Sequence, residues 1–161
     1  MHWYEGKSAF LGALSKASFG IISDLDGTLS PIVDIPDNAR MTAGNHKTLL
    51  ELASTGVFVA ILSGRSAADL AHRVNIRGAV LIGNHGMEEW REGKAIVAEE
   101  ALAFRPQIAK VAKELLTIEE EGLRIEDKGV SIALHYRQHK NPDRFGDDHR
   151  LTCRNWPKNI S

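Results

Sequence analysis

Cysteine is nearly absent: the 161 residues hold one, Cys153. A single thiol excludes an intramolecular disulfide and any cysteine-based zinc site, and it fits a reducing compartment. Net charge is nearly absent too, at −1 from 20 Lys and Arg against 21 Asp and Glu. That balance removes the electrostatic reason to expect nucleic acid or an anionic membrane as a partner. No apolar run approaches the roughly 20 residues that a transmembrane helix needs. The opening MHWYEGKSAFLGALSKAS has neither a long apolar core nor a cleavage signature. A soluble, cytoplasmic protein is the expectation. No internal repeat or low-complexity tract occurs.

The chain does hold enough apolar residues, 43% of the total, to build one real core and part of a second domain. Ser8 to Lys16 reads as a short amphipathic helix. Phe19 to Ile22 is an apolar run that leads through Ser23 to Asp24, Asp26, Gly27 and Thr28. It predicts a buried strand whose carboxyl end opens into a loop carrying two carboxylates, the place where open α/β sheets bind ligands. Asp37 is the expected N-cap of a helix to about Ser54, stopped by Gly56. Val57 to Leu62 predicts a second buried strand, ending in Ser63-Gly64-Arg65-Ser66. Ser66 with Asp69 resembles a capping pair for a helix to about Val74. Ala79 to Ile82 predicts a third strand, ending in Gly83-Asn84-His85-Gly86.

Alternating strands and helices imply parallel strands joined by right-handed crossovers, a doubly wound α/β layer. Asp24/Asp26, Ser63/Arg65 and Asn84/His85 are then expected along one edge. After Gly86 the pattern changes. Met87 to Trp90 and Ala95 to Val97 predict a hairpin, and Pro106 begins a helix expected to run to Gly122. Leu123 to Glu126 and Val130 to Arg137 predict a second hairpin, with Ser131, Ala133, His135 and Arg137 on its polar face. These segments suit a lid over the first domain. The expected organisation is therefore a core over 1–86, a partial cap over 87–137 and an irregular tail over 138–161.

A carboxylate of ordinary pKa, near 4, is ionised at neutral pH and can attack phosphorus to form an acyl phosphate. Repulsion between two anions must then be offset, and Mg²⁺, which takes one or two carboxylates plus phosphate oxygens, can do so. Gly27, Thr28 and Ser63 could donate to phosphate oxygens. A bare D-x-D is also what a solvated turn looks like, but the apolar strand before it and the G-T after it weigh against that. Other residues keep two readings. Arg65 can pair with a neighbouring acid, and His85 can cap a turn. Glu126 with Lys128 can be an exposed cross-strand pair, His135 with Arg137 a solvated strand face, and Trp90 reads as packing.

DLDGTLSPIV resembles the first signature of the haloacid-dehalogenase (HAD) phosphotransferases. ILSGR, GNHG and EDKGVSIALHYR are similar, in that order, to segments of their trehalose-6-phosphate phosphatase branch. The resemblance implies a HAD-like sheet, incomplete and limited to its first three strands, with part of an α+β cap. It implies a Mg²⁺-dependent phosphatase acting on trehalose 6-phosphate through an aspartyl-phosphate. Asp24 would be nucleophile and metal ligand. Asp26 would be general acid/base and would offer its main-chain carbonyl to the metal. Thr28 and Ser63 would hold the phosphoryl group, and Glu126 and Lys128 would contact sugar hydroxyls. Arg65, Asn84, His85, His135 and Arg137 would line the cleft.

The family also requires a lysine and an acidic G-D-D motif beyond the cap. Gly146-Asp147-Asp148 follows no buried strand, so it is not expected to be that motif. The reading is of a shortened chain whose first strand is left at an exposed sheet edge, an aggregation hazard. Alternatives are an inactive fragment that at most binds sugar phosphate, a sucrose- or hexose-phosphate phosphatase, and, remotely, a metal-binding D-x-D glycosyltransferase.

Overall fold

Three apolar runs become strands, and their register explains which residues they bury. A computed structural model describes residues 5–15, 18–136 and 138–142. In it β1 (Gly20–Ser23) pairs parallel with β2 (Phe58–Leu62), and β2 pairs parallel with β3 (Val80–Gly83). Helix α1 (Lys7–Leu14) precedes β1, and helices α2 (Ala43–Ser54) and α3 (Ala67–Val74) form the crossovers. One face of the sheet presents Val59, Ile61 and Leu81, which pack with Leu49 of α2 and Leu70 and Val74 of α3. Burial of these side chains contributes on the order of 2 kcal/mol apiece.

Because α2 and α3 join the same core cluster, both lie on this face of the sheet. On the opposite face Ile22 is 70% exposed, Phe58 52% and Leu62 41%. β1 stands at the edge of the sheet, as expected.

Several expectations change. The helix ending at Ser54 begins at Ala43, and its cap is Thr42, whose Oγ1 accepts from Asn45 N at 3.2 Å. Pro36 starts only a short 3-10 turn, Pro36–Asn38, and Asp37 instead offers its carbonyl to Arg40. Next, the hairpin after Gly86, β4 (Glu88–Arg91) and β5 (Lys94–Val97), continues the core sheet in the order β1-β2-β3-β4-β5. The reason is backbone pairing: β4 runs antiparallel to β3, with Leu81 opposite Trp90, and Trp90 packs on the core cluster. The chain divides into compact units between Ile96 and Val97.

In the second unit α4 (Glu99–Leu102) precedes α5 (Arg105–Leu115), which Pro106 opens as predicted. α5 stops well before Gly122, where Thr117 Oγ1 donates to the Glu114 carbonyl at 2.7 Å and so satisfies a terminal acceptor. β6 (Arg124–Asp127) and β7 (Ile132–His135) form a separate antiparallel pair. Arg137, Cys153, the Gly146-Asp147-Asp148 segment and most of the expected tail lie outside the described residues. Among the described residues no helix is long and apolar enough to cross a membrane.

Candidate active site

The end of β1 is shaped by one carbonyl. Leu25 is buried, and its C=O accepts from Thr28, Leu29 and Ser30 at 3.4, 3.0 and 2.8 Å. Gly27 N closes the turn on the Ser30 carbonyl at 2.7 Å. Gly27 has φ +85°, and a Cβ there would meet Ile32 at 3.2 Å, so the turn favours glycine on two counts. With Leu25 anchored inside, its neighbours Asp24 and Asp26 stand exposed, as does Thr28.

Loops after β2 and β3 are stitched to each other. Ser63 N donates to the Ile82 carbonyl, Asn84 N to the Arg65 carbonyl, and His85 N to the Ser63 carbonyl, at 3.0, 2.7 and 3.0 Å. The Ser63 side chain is buried, and its Oγ accepts from Arg65 N at 3.2 Å. Asn84 and His85 have φ of 47° and 57°, a left-handed conformation that costs about 1 kcal/mol or more per non-glycine residue. The hydrogen bonds to the β2 loop hold that strain in place. Gly64 makes room: a Cβ there would lie 2.6 Å from the His85 ring.

Arg65 ties the β2 loop to the β1 loop. Its Nε donates to Asp26 Oδ2 at 2.7 Å and its Nη2 to Asp26 Oδ1 at 2.8 Å, a two-pronged fork. Nη2 also donates to the Pro36 carbonyl at 2.9 Å, and Nη1 to Asp69 Oδ2 at 2.9 Å. Arg73 Nε in turn donates to both Asp69 oxygens at 2.8 Å. Arg73 Nη1 reaches the Asp37 and Ala39 carbonyls at 3.1 and 2.7 Å. The hydrogen bond to Asp26 raises the Arg65 pKa above its usual range despite partial burial. For Asp69, burial pushes the carboxyl up, but Arg73 and then Arg65 outweigh it and hold it below its ordinary 3.8.

Thus Asp26, Ser63, Arg65, Asn84 and His85 are linked at one sheet edge, with Asp24 and Thr28 on the turn that carries Asp26. Asp24 and the Asp26 carbonyl are hard oxygen donors of the kind Mg²⁺ takes. Among the described residues no group of three or more His, Cys, Asp or Glu side chains is placed to hold a metal.

The second unit carries its own polar cluster on β6 and β7. Register places Arg124 opposite His135 and Glu126 opposite Ala133, on one face of the ribbon. His135 Nε2 lies 2.9 Å from Glu126 Oε2. Lys128 sits in the connecting turn, where its N–H donates to the Ser131 carbonyl at 2.9 Å and Gly129 N donates to Asp127 Oδ1 at 2.8 Å.

Sequence reasoning missed three contributors, Asp69, Arg73 and Glu88. Asp69 reads as a capping acid, yet its carboxylate joins two arginines. The signal was Arg65, Asp69 and Arg73 recurring every four residues, the spacing of one helical stripe. Glu88, buried on β4, accepts from Ala67 N at 2.9 Å and so satisfies a free donor at the start of α3. Its only sequence trace was an acid shortly after a strand end.

The model of the trehalose-phosphatase family matches residues 22–153. A trehalose-phosphate phosphatase of Mycobacterium avium is 40% identical over 132 residues, covering 79% of this chain and 33% of its own length. The chain thus spans about a third of the length of the curated relatives it matches. Among solved structures, the C-terminal domain of Candida albicans trehalose-6-phosphate phosphatase is similar. Its TM-score is 0.65 at 25% identity, over 81% of this chain and 47% of that one. A trehalose-6-phosphate phosphatase related protein shares the fold, with a TM-score of 0.65 at 20% identity over 83% and 59%.

Proposed function

The chain belongs to the trehalose-phosphatase family, and we propose that it carries the phosphoryl-transfer site of a phosphatase that hydrolyses trehalose 6-phosphate. The observation behind this reading is the Arg65 fork on Asp26, which ties the second strand end to the carboxylate loop of the first. An Asp24 oxygen attacks phosphorus as the bond to the sugar oxygen breaks, leaving an aspartyl-phosphate and the sugar, whose oxygen takes a proton from Asp26. Water then attacks that phosphorus, Asp26 takes the water's proton, and phosphate leaves with Asp24 restored. Thr28 and Ser63 orient the phosphoryl oxygens. Asn84 and His85 line the same strand-end edge.

The Asp24 carboxylate and the Asp26 main-chain carbonyl would hold Mg²⁺. When bound, the ion offsets the repulsion between carboxylate and phosphate. Glu126 and Lys128 contact sugar hydroxyls, and His135 and Arg137 are further candidate cleft residues. Sucrose or hexose phosphates are the competing substrates. The working place is the cytoplasm, and neither nucleic acid nor membrane is a partner.

The test is phosphate release from a panel of trehalose, sucrose and hexose 6-phosphates with Mg²⁺, for wild type and Asp24→Asn. Release is expected to be fastest from trehalose 6-phosphate and to drop to background in the variant. Equal rates for the two proteins would sink the proposal. A second reading is a protein that binds sugar phosphate without turning it over. It draws on β1 standing at a sheet edge with Ile22 exposed. Turnover by the 161-residue chain overturns that reading.

A further inference from the structure

We propose that Arg65 is a positioning residue for Asp26 rather than a ligand of the substrate phosphate, and that Asp69 and Arg73 brace it in that role. This inference rests on the phosphatase reading for its catalytic meaning, although its geometry stands apart from it.

A guanidinium has five N–H donors in a rigid planar fork. In Arg65 four of the five are engaged, two by the Asp26 carboxylate, one by Asp69 and one by the Pro36 carbonyl. Arginine typically binds phosphate through a parallel pair of donors, and here the Nε and Nη2 pair is turned onto Asp26. The Arg65 side chain is 14% exposed and cannot swing without breaking all four bonds.

What holds the fork is a relay along one helical stripe. Arg73, 6% exposed, grips both oxygens of Asp69. It also grips the Asp37 and Ala39 carbonyls, on the segment whose Pro36 carbonyl takes a bond from Arg65. The relay therefore fixes Asp26 from two directions, through α3 and through the 36–39 segment. A proton-transferring carboxylate needs such fixing, because its efficiency depends on reaching the reacting oxygen within hydrogen-bond distance. Each Asp26 oxygen keeps a second acceptor site outside the fork, so being held does not use up the carboxylate.

Two measurements on the full chain test this. The first is free of turnover: a ¹H–¹⁵N spectrum in the arginine Nε region. Wild type should give a slowly exchanging Arg65 Nε–H signal, identified by its loss in Arg65→Lys, and Asp26→Ala and Asp69→Asn should each speed its exchange. A fast-exchanging Arg65 signal in folded wild type, or one unmoved by Asp26→Ala, overturns the proposal.

The second compares Mg²⁺-dependent hydrolysis of trehalose 6-phosphate, whose alkoxide leaving group needs a proton, with that of p-nitrophenyl phosphate, whose leaving group does not. A misaligned Asp26 slows the later hydrolysis of the aspartyl-phosphate alike for both substrates. The quantity kcat/KM, however, reports only the transfer to Asp24, where just the alkoxide needs the proton. Arg65→Lys and Arg65→Ala should therefore lower the alkyl-to-aryl ratio of kcat/KM by about tenfold or more. An equal fall on both substrates with a raised KM means that Arg65 binds phosphate, and a wild-type ratio in Arg65→Lys means that charge alone suffices. Either overturns the proposal. If wild type turns over neither substrate while the Nε–H signal behaves as expected, the phosphatase reading of the chain fails and the positioning geometry is upheld.

Discussion

The two units place their candidate side chains by different means. Up to Ile96 the candidate residues stand on loops that three parallel strand ends, two helices and a buried cluster hold from beneath, with hydrogen bonds crossing between loops. Past Val97, Glu126 and His135 rest on a two-stranded ribbon whose strand residues are nowhere fully buried. A lone hairpin is marginal without further packing. On the proposed reading, the first unit would hold carboxylates that phosphoryl transfer needs closely in place, whereas the ribbon would offer a sugar-contacting surface that can adjust to its ligand. Precision is built where burial supports it.

The largest expected effect separates two glycines. A Cβ on Gly83 would lie 2.3 Å from the backbone nitrogen of Ala67, so Gly83→Ala should destabilise by about 3 kcal/mol in urea unfolding. Gly129, in the β6–β7 turn, has φ +78° and open space around it. Gly129→Ala should cost only about 1 kcal/mol, for backbone strain alone. Similar costs would erase the contrast between the units.

Core truncation is of comparable size. Ile61→Ala removes a fully buried side chain on β2 and should cost about 2–5 kcal/mol. Leu134→Ala on the half-buried β7 should cost about 1 kcal/mol by the same reasoning. Thermal or urea unfolding of both variants checks the ranking.

A smaller effect concerns acid. The Asp69 carboxyl is held below its ordinary 3.8, so the folded state favours the ionised form. That stability is present above the unfolded pKa and is lost as pH falls through the lower folded value. Asp69→Asn should remove this part of the acid loss, visible as a flatter urea midpoint against pH below about 4. An unchanged profile would detach Asp69 from the stability of the first unit.

The smallest effect is at the ribbon. His135→Ala deletes a partly exposed pair with Glu126 and should cost about 0.2–1 kcal/mol. Hydrogen exchange over 132–135 should quicken while the protection of β2 stays as it was. Faster exchange in β2 as well would mean that the units are energetically coupled.

Much of the first unit was legible in the sequence. The runs at 19–22, 57–62 and 79–82 each became a strand within a residue or two, and Ser66 capped α3 as read, because such signals are local. The start of α2 was not, since Asp37 and Thr42 are both good caps and only the neighbouring backbone selects between them. The hairpin at 87–97 was legible as a hairpin but not as part of the core sheet. Its pairing with β3 depends on Trp90 finding the core cluster, which no window around residue 90 contains.

The order of elements and the chemistry at each strand end are local properties of the chain: two carboxylates after β1, a serine and an arginine after β2, an asparagine and a histidine after β3. Burial of short apolar runs and the demands of caps and turns are settled among near neighbours, so they can be read along the chain. Which of these groups meet is a matter of packing. Asp26 and Arg65 are 39 residues apart, and their fork exists because parallel pairing of β1 and β2 brings both ends to one edge while Asp69 and Arg73 turn the guanidinium toward it. Such partnerships depend on which surfaces the fold buries together, a property of the packed chain and of no segment within it.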